Sequence, residues 1–230
     1  SNVIANYENN NDFQLSINYT FYKNKTYGIV GPSGSGKTTF INLILKLQEV
    51  NQGNIFIDHK DLNEIPIDVW CNNISYVDQD NFLFNDTIKD NIILDKDTNH
   101  DLNNFNKILE LSNLDNAEID YNKFVNDSST NISGGQKQRI SFARAIYKNF
   151  GIIILDEFTS NLDVKNEIII NNYIKSLKGK KTIIIIGHKN SLIKNADEIL
   201  FIKNGKIVES GNHDSLISKK TNYYNFFNEK

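Results

Sequence analysis

Short apolar runs alternate along the chain with segments whose apolar residues recur every third or fourth position. That alternation predicts strands and helices in turn, an α/β sheet. Residues 27–30, 74–77, 151–155 and 182–186 are strand-sized, and the last two are rich in β-branched side chains. Runs of that kind are buried on both faces of a parallel sheet. Residues 39–46 place Phe40, Leu43 and Ile44 at helical spacing, with Leu47 continuing the stripe. Residues 134–148 do the same with Ile140, Ala143 and Ile146. The stretch 81–147 is mostly helical in pattern and separates two strand-rich regions, so it predicts an inserted helical subdomain. Pro32 and Pro66 are the only prolines, and no Ser/Gly-rich linker, repeat or heptad divides the chain.

Composition narrows the classes. The 230 residues carry 25 Lys+Arg against 28 Asp+Glu, a net charge of −3, so no basic footprint points to nucleic acid. One cysteine, Cys71, excludes an intramolecular disulfide and a cysteine-rich zinc site and suits a reducing compartment. No apolar stretch approaches the ~18 residues of a membrane span, and no secretory signal opens the chain. The absence of Met leads to two expectations: a processed N-terminus, or a domain that belongs to a longer protein.

Residues 31–38 fit G-x-x-x-x-G-K-[ST], with Gly31, Gly36, Lys37 and Thr38 at the fixed positions. A strand precedes them and a helix follows, the context a phosphate cradle requires. Glycines let successive backbone N–H groups curl around phosphate oxygens at a helix N-terminus. Lys37 supplies a point charge toward the β- and γ-phosphates, and the Thr38 hydroxyl can ligate Mg²⁺. A second strand ends in the acidic pair Asp156-Glu157. Acids at that end of a strand sit where open α/β sheets bind ligands. Asp156 is placed to hold a metal's coordination sphere and Glu157 to polarise an attacking water.

Further motifs resemble, in order, the nucleotide-binding domain of ATP-binding cassette (ABC) transporters over nearly the whole chain. Residues 132–136, Ile-Ser-Gly-Gly-Gln, are similar to the family signature, which normally begins with Leu. Ser-Gly-Gly alone is an ordinary helix-capping turn; followed by Arg139, Ala143, Arg144 and the Asp156-Glu157 strand, it carries the resemblance. The resemblance implies a P-loop NTPase (RecA-like) core, an N-terminal antiparallel β subdomain and an inserted α-helical subdomain. The implied division is a core of about 1–80 and 148–230, with the helical part at about 81–147.

The resemblance also implies roles. ATP would lie on Gly31, Ser33, Gly34, Ser35, Gly36, Lys37, Thr38 and Thr39, its adenine against Tyr7, for which Tyr19 and Tyr22 are rivals. Mg²⁺ would be held by Thr38, Gln79 and Asp156. Glu157, His188, Gln79 and Lys37 would serve catalysis: Gln79 as the Q-loop glutamine, His188 as the switch histidine on the γ-phosphate. Ser133, Gly134, Gly135 and Gln136 would meet ATP held by a second copy in a head-to-tail homodimer. Asp163, in a D-loop-like Ser160-Asn161-Leu162-Asp163, would cross that interface. Residues 82–88, Phe-Leu-Phe-Asn-Asp-Thr-Ile, with Asn91-Ile92, are similar to exporters whose membrane and ATPase parts share one polypeptide. Phe82 and Phe84 read either as subdomain core or as an exposed groove for the membrane part. Residues 125–129 correspond to the exporter loop before the signature but depart from it at Asn126, Asp127, Ser128 and Ser129. The expected setting is the cytoplasmic face of a membrane, with a transmembrane domain as partner, no insertion by this domain and no nucleic acid. An importer subunit, a non-transport ABC ATPase and a regulatory module without turnover are the alternatives, and the cargo is not encoded here.

Overall fold

The computed structural model describes residues 2–7, 10–94, 101–115, 119–126, 132–148, 150–158, 162–187 and 191–228, with only the backbone of 6, 7 and 10–12. The chain opens with β1 (Val3–Tyr7), β2 (Asn10–Ile17) and β3 (Thr26–Val30), then α1 (Lys37–Ile44), β4 (Phe56–Ile57), β5 (Lys60–Asp61), α2 (Ile67–Asn73) and β6 (Ile74–Val77). The middle holds β7 (Asp86–Thr87), α3 (Ile88–Ile93), α4 (Leu102–Leu111), β8 (Phe124–Val125) and α5 (Gly134–Tyr147). It closes with β9 (Ile152–Asp156), α6 (Val164–Leu177), β10 (Thr182–Ile186), α7 (Ser191–Lys194), β11 (Glu198–Lys203), β12 (Lys206–Gly211), α8 (His213–Ser218) and α9 (Asn222–Asn228).

Eight strands form one sheet in the order β1-β2-β12-β11-β3-β10-β9-β6. From β11 to β6 every pairing is parallel; β1 with β2 and β11 with β12 are antiparallel. The antiparallel N-terminal strands are thus continuous with the core sheet, joined where Lys206 of β12 meets Ser16 of β2.

Side-chain alternation explains why the parallel strands are apolar throughout. Ile153 and Leu155 of β9, with Ile183 and Ile185 of β10, enter one core beneath α5 and α6. Ile154, Ile184 and Ile186 point through the sheet to a second core with Phe40, Ile41 and Trp70 from α1 and α2. Successive strand residues face opposite ways, so a strand covered on both faces has no solvent side to spend on polar residues. In the middle segment, α3, α4 and α5 pack together through Ile92, Phe105, Ile108 and Ile140, and their core is continuous with that of β9. Among the described residues no helix is long and apolar enough to cross a membrane.

One expectation needs correction. The stripe on α1 does not extend to Leu47, which is 71 % exposed. The helix starts two residues earlier than its pattern and ends at Ile44. Lys46 then takes a left-handed conformation, φ 58°, which breaks the helical register and swings Leu47 outward. The Lys46 ammonium bonds the Leu62 and Ile65 carbonyls (3.0 and 2.7 Å), which holds the turn.

Candidate active site

Parallel register brings the loops together. Ile186 lies opposite both Asp156 and Ile29, and Val77 lies opposite Leu155. The segments that follow β3, β9, β10 and β6 therefore leave one edge of the sheet, where open α/β folds bind ligands. That edge gathers the 31–39 loop, Asp156, Glu157, Gly187 and the Asp78-Gln79 pair.

The loop is shaped by close packing. A Cβ on Gly31 would lie 2.1 Å from the Ile202 carbonyl oxygen of β11, so no side chain fits there. Gly36, the N-cap of α1, has φ 103°, and a Cβ on it would meet Phe13 and Leu15. The Ser35 carbonyl accepts from Gly205 N–H at 3.0 Å, tying the loop to the β11–β12 turn. The Ser35 hydroxyl is buried without a partner. The Lys37 ammonium folds back on the Gly31 and Pro32 carbonyls, 2.9 and 3.1 Å away. Burial pulls its pKa down, and the charges of Glu157 and Asp156 oppose that. Thr38 and Gly34 are exposed at the loop and Thr39 is buried in the first turn of α1.

Facing the loop is a crowd of acids. Burial first, then the charges of Glu157 and Asp78, push the Asp156 carboxyl up to about 6; Tyr76 and Lys37 oppose the rise. The Tyr76 hydroxyl lies 3.1 Å from Asp78 Oδ1 and 3.4 Å from Asp156 Oδ2. Glu157 sits in the left-handed region, φ 44°, and its N–H donates to the Ile186 carbonyl at 3.0 Å. Strain of this kind at a strand end is found where a side chain must be aimed at a reacting group. Gln79 is exposed; its N–H donates to Asp78 Oδ1 (2.7 Å) and its carbonyl accepts from Asn81 (2.8 Å).

A carboxyl with a raised folded pKa favours the fold below the unfolded value and loses that contribution as pH rises through about 6. The loss is about 1–2 kcal/mol after solvent screening is allowed for. Urea unfolding of wild type and Asp156→Asn at pH 4 and pH 7.5 should therefore show the variant gaining relative stability at the higher pH. A difference that stays constant with pH would contradict this environment for Asp156.

No group of three His, Cys, Asp or Glu side chains among the described residues could hold a metal by itself. The donors present are a threonine hydroxyl, a glutamine amide and one carboxyl in excess negative charge. That set fits a hard divalent cation completed by phosphate oxygens and water, as Mg²⁺ prefers.

Two helix tips present further candidates. Ser133 caps α5: its Oγ accepts from Gln136 N–H (3.2 Å) while Gln136 Oε1 accepts from Ser133 N–H (2.9 Å), a closed capping box. Gln136 is thus occupied in its own chain. Ser133 and Gly134 are exposed and Gly135 is half-buried, so the positive end of the α5 dipole faces outward. Asp163 caps α6 by accepting from Asn166 N–H (2.9 Å) and Asn166 Nδ2 (2.5 Å), which holds its carboxyl below the usual range. Arg139 of α5 bonds Asn166 of α6 and the carbonyl of Asn113 in the turn after α4, linking the three. Tyr19 packs edge-on against Phe21 and Tyr27 at 4.9 and 6.3 Å, a structural cluster. Tyr7 lies in β1, and its side chain, with His188, Ser160, Asn161 and residues 127–129, lies outside the described residues. The sequence reading overlooked Tyr76 and Asp78; an acid directly before Gln79 was the available signal.

A nucleotide-cradling α/β domain is the class these features define. A family model described as ABC transporter matches residues 15–160. The chain is 39 % identical over 218 residues to a Staphylococcus aureus protein named for multidrug export as an ATP-binding/permease protein, covering 92 % of this chain and 37 % of that one. It is 36 % identical over 220 residues to ABC transporter B family member 14 of Arabidopsis thaliana, covering 93 % of this chain and 17 % of that one. A bacterial Atm1-family ABC exporter solved with ATP bound superposes with a TM-score of 0.88 at 29 % identity, covering 98 % of this chain and 40 % of its own. The chain belongs to the ABC transporter family, and it spans well under half the length of these relatives.

Proposed function

We propose that this chain is the ATP-hydrolysing domain of an exporter and acts from the cytoplasmic face of a membrane on a transmembrane partner. The observation that carries this reading is the convergence of the 31–39 loop with Asp156 and Glu157 at one sheet edge, with the α5 tip exposed. The relatives' names, which join ATP-binding to permease and export, favour export over an importer subunit. The division is a core of about 1–80 and 148–230 and a helical subdomain of about 81–147.

In the proposed mechanism, backbone N–H groups of Gly34, Ser35, Gly36, Lys37, Thr38 and Thr39 cradle the phosphates, with the Ser33 turn leading in and Tyr7 against adenine. Lys37 exchanges its two loop carbonyls for phosphate oxygens. Thr38, Gln79 and Asp156 hold Mg²⁺, which when bound neutralises phosphate charge. Glu157 orients and activates water, and His188 steadies the γ-phosphate. The α5 tip, Ser133 to Gln136, reaches a partner copy's ATP, and Asp163 lies at that head-to-tail interface. Phosphoryl transfer needs positioning and electrostatics more than covalent chemistry, so a site completed by a second copy is strictly gated.

Phosphate release from Mg·ATP at increasing protein concentration tests the reading. Specific activity should rise with concentration at low micromolar protein, because the competent species is a pair. Absent phosphate release would refute the hydrolytic role, and a specific activity constant across concentrations would refute the shared site.

A further inference from the structure

Between β6 and α3 the chain presents two phenylalanines to solvent, Phe82 at 53 % and Phe84 at 47 % exposure, while Leu83 between them is buried at 1 %. Their rings meet edge to face at 5.3 Å. This geometry is imposed from beneath. Arg144, three-quarters of the way along α5, donates from Nη1 to the Phe82 carbonyl (2.9 Å), from Nε to the Asn91 carbonyl (2.7 Å) and from Nη2 to Asn91 Oδ1 (2.9 Å). Its guanidinium also lies 5.0 Å from the centre of the Phe84 ring. Asn91, wholly buried, accepts from Phe84 N–H (2.8 Å) and donates to the Phe84 and Thr87 carbonyls (3.0 Å each).

We infer that Arg144 and Asn91 are positioning residues that make the Phe82–Phe84 pair move with α5, the helix whose other end carries Ser133. Hydrogen bonds to a charged donor are stronger than neutral ones and directional, and Arg fixes a planar array that Lys cannot reproduce. A rigid helix tied at one end to the loop and exposed at the other can carry displacement between them. The inference rests on the proposed role of the α5 tip in meeting a second copy's ATP.

The test is hydrogen exchange at the amides of 82–84 and 91, with and without ATP, in the Glu157→Gln background, which is expected to retain nucleotide. ATP binding is read by calorimetry and pairing by sedimentation in the same samples. With Arg144 present, ATP should slow exchange at Phe84 by about tenfold, the size of one hydrogen bond such as that from Phe84 N–H to the Asn91 amide oxygen. In Arg144→Gln and Arg144→Lys the ATP response should vanish while ATP affinity and pairing persist. A structural role alone would accelerate exchange in both states and leave the ratio unchanged. If Arg144→Gln does not fold, Asn91→Ser reports on the same tie. Pairing with ATP but no response at 82–84, or a response that survives these substitutions, overturns the inference. Failure to bind ATP or to pair overturns the proposed function and the inference that rests on it.

Discussion

Replacing Glu157 by Gln is expected to leave ATP bound and to lower turnover by about 10²–10³-fold, a loss typical of removing a positioned base in a preorganised site. The side chain is isosteric, so the strained backbone at φ 44° and the N–H bond to Ile186 should survive the change. What is lost is a carboxylate able to accept a proton from water. Removing one negative charge beside Asp156 also eases the crowding that raises its pKa, so metal and nucleotide should bind at least as well. ATP bound without turnover should hold two copies together, visible as a dimer in sedimentation only when ATP is present. Turnover near the wild-type rate would remove Glu157 from the role of base.

Legibility in the sequence followed the range of the forces involved. The parallel strands could be read because burial on both faces leaves an unbroken apolar run, as in 152–155 and 182–186. The loop could be read because Gly31 and Gly36 answer to steric demands that no other residue meets. What pattern alone did not supply were long-range placements. That β12 receives β2, making the antiparallel strands part of the core sheet, depends on pairings nearly two hundred residues apart. Leu47 misled because helical spacing continued past a turn fixed by the Lys46 ammonium on distant carbonyls. Phe82 and Phe84 were open between core and surface. Alternation with buried Leu83 decides it, but only once Arg144, sixty residues away, holds the Phe82 carbonyl and Asn91 holds the Phe84 backbone. Tyr76 had no motif to announce it, since its link to Asp156 runs across neighbouring strands, and Asp78 was marked only by its place directly before Gln79.

The second large effect is expected on binding itself. Lys37→Ala should weaken ATP affinity by about 100-fold in calorimetry, the scale of one or two lost charge-assisted hydrogen bonds in a partly desolvated site. The ammonium is already held over the loop by the Gly31 and Pro32 carbonyls, so little ordering cost falls on binding. Without the ammonium the carbonyl of exposed Pro32 can turn to water, while buried Gly31 loses this partner; one unmet carbonyl costs about 1–3 kcal/mol, so the fold should persist. A second consequence separates charge from shape. Lys37 lowers the pKa of Asp156, so Ala at position 37 should raise that pKa further and make Mg²⁺-dependent nucleotide binding fall off at a higher pH than in wild type. Lys37→Arg restores charge with a bulkier, planar head that cannot occupy the same point between two carbonyls. It should recover the pH profile of Asp156 while leaving ATP affinity reduced. If instead Ala matched wild type in both affinity and pH profile, the loop would not be a phosphate cradle.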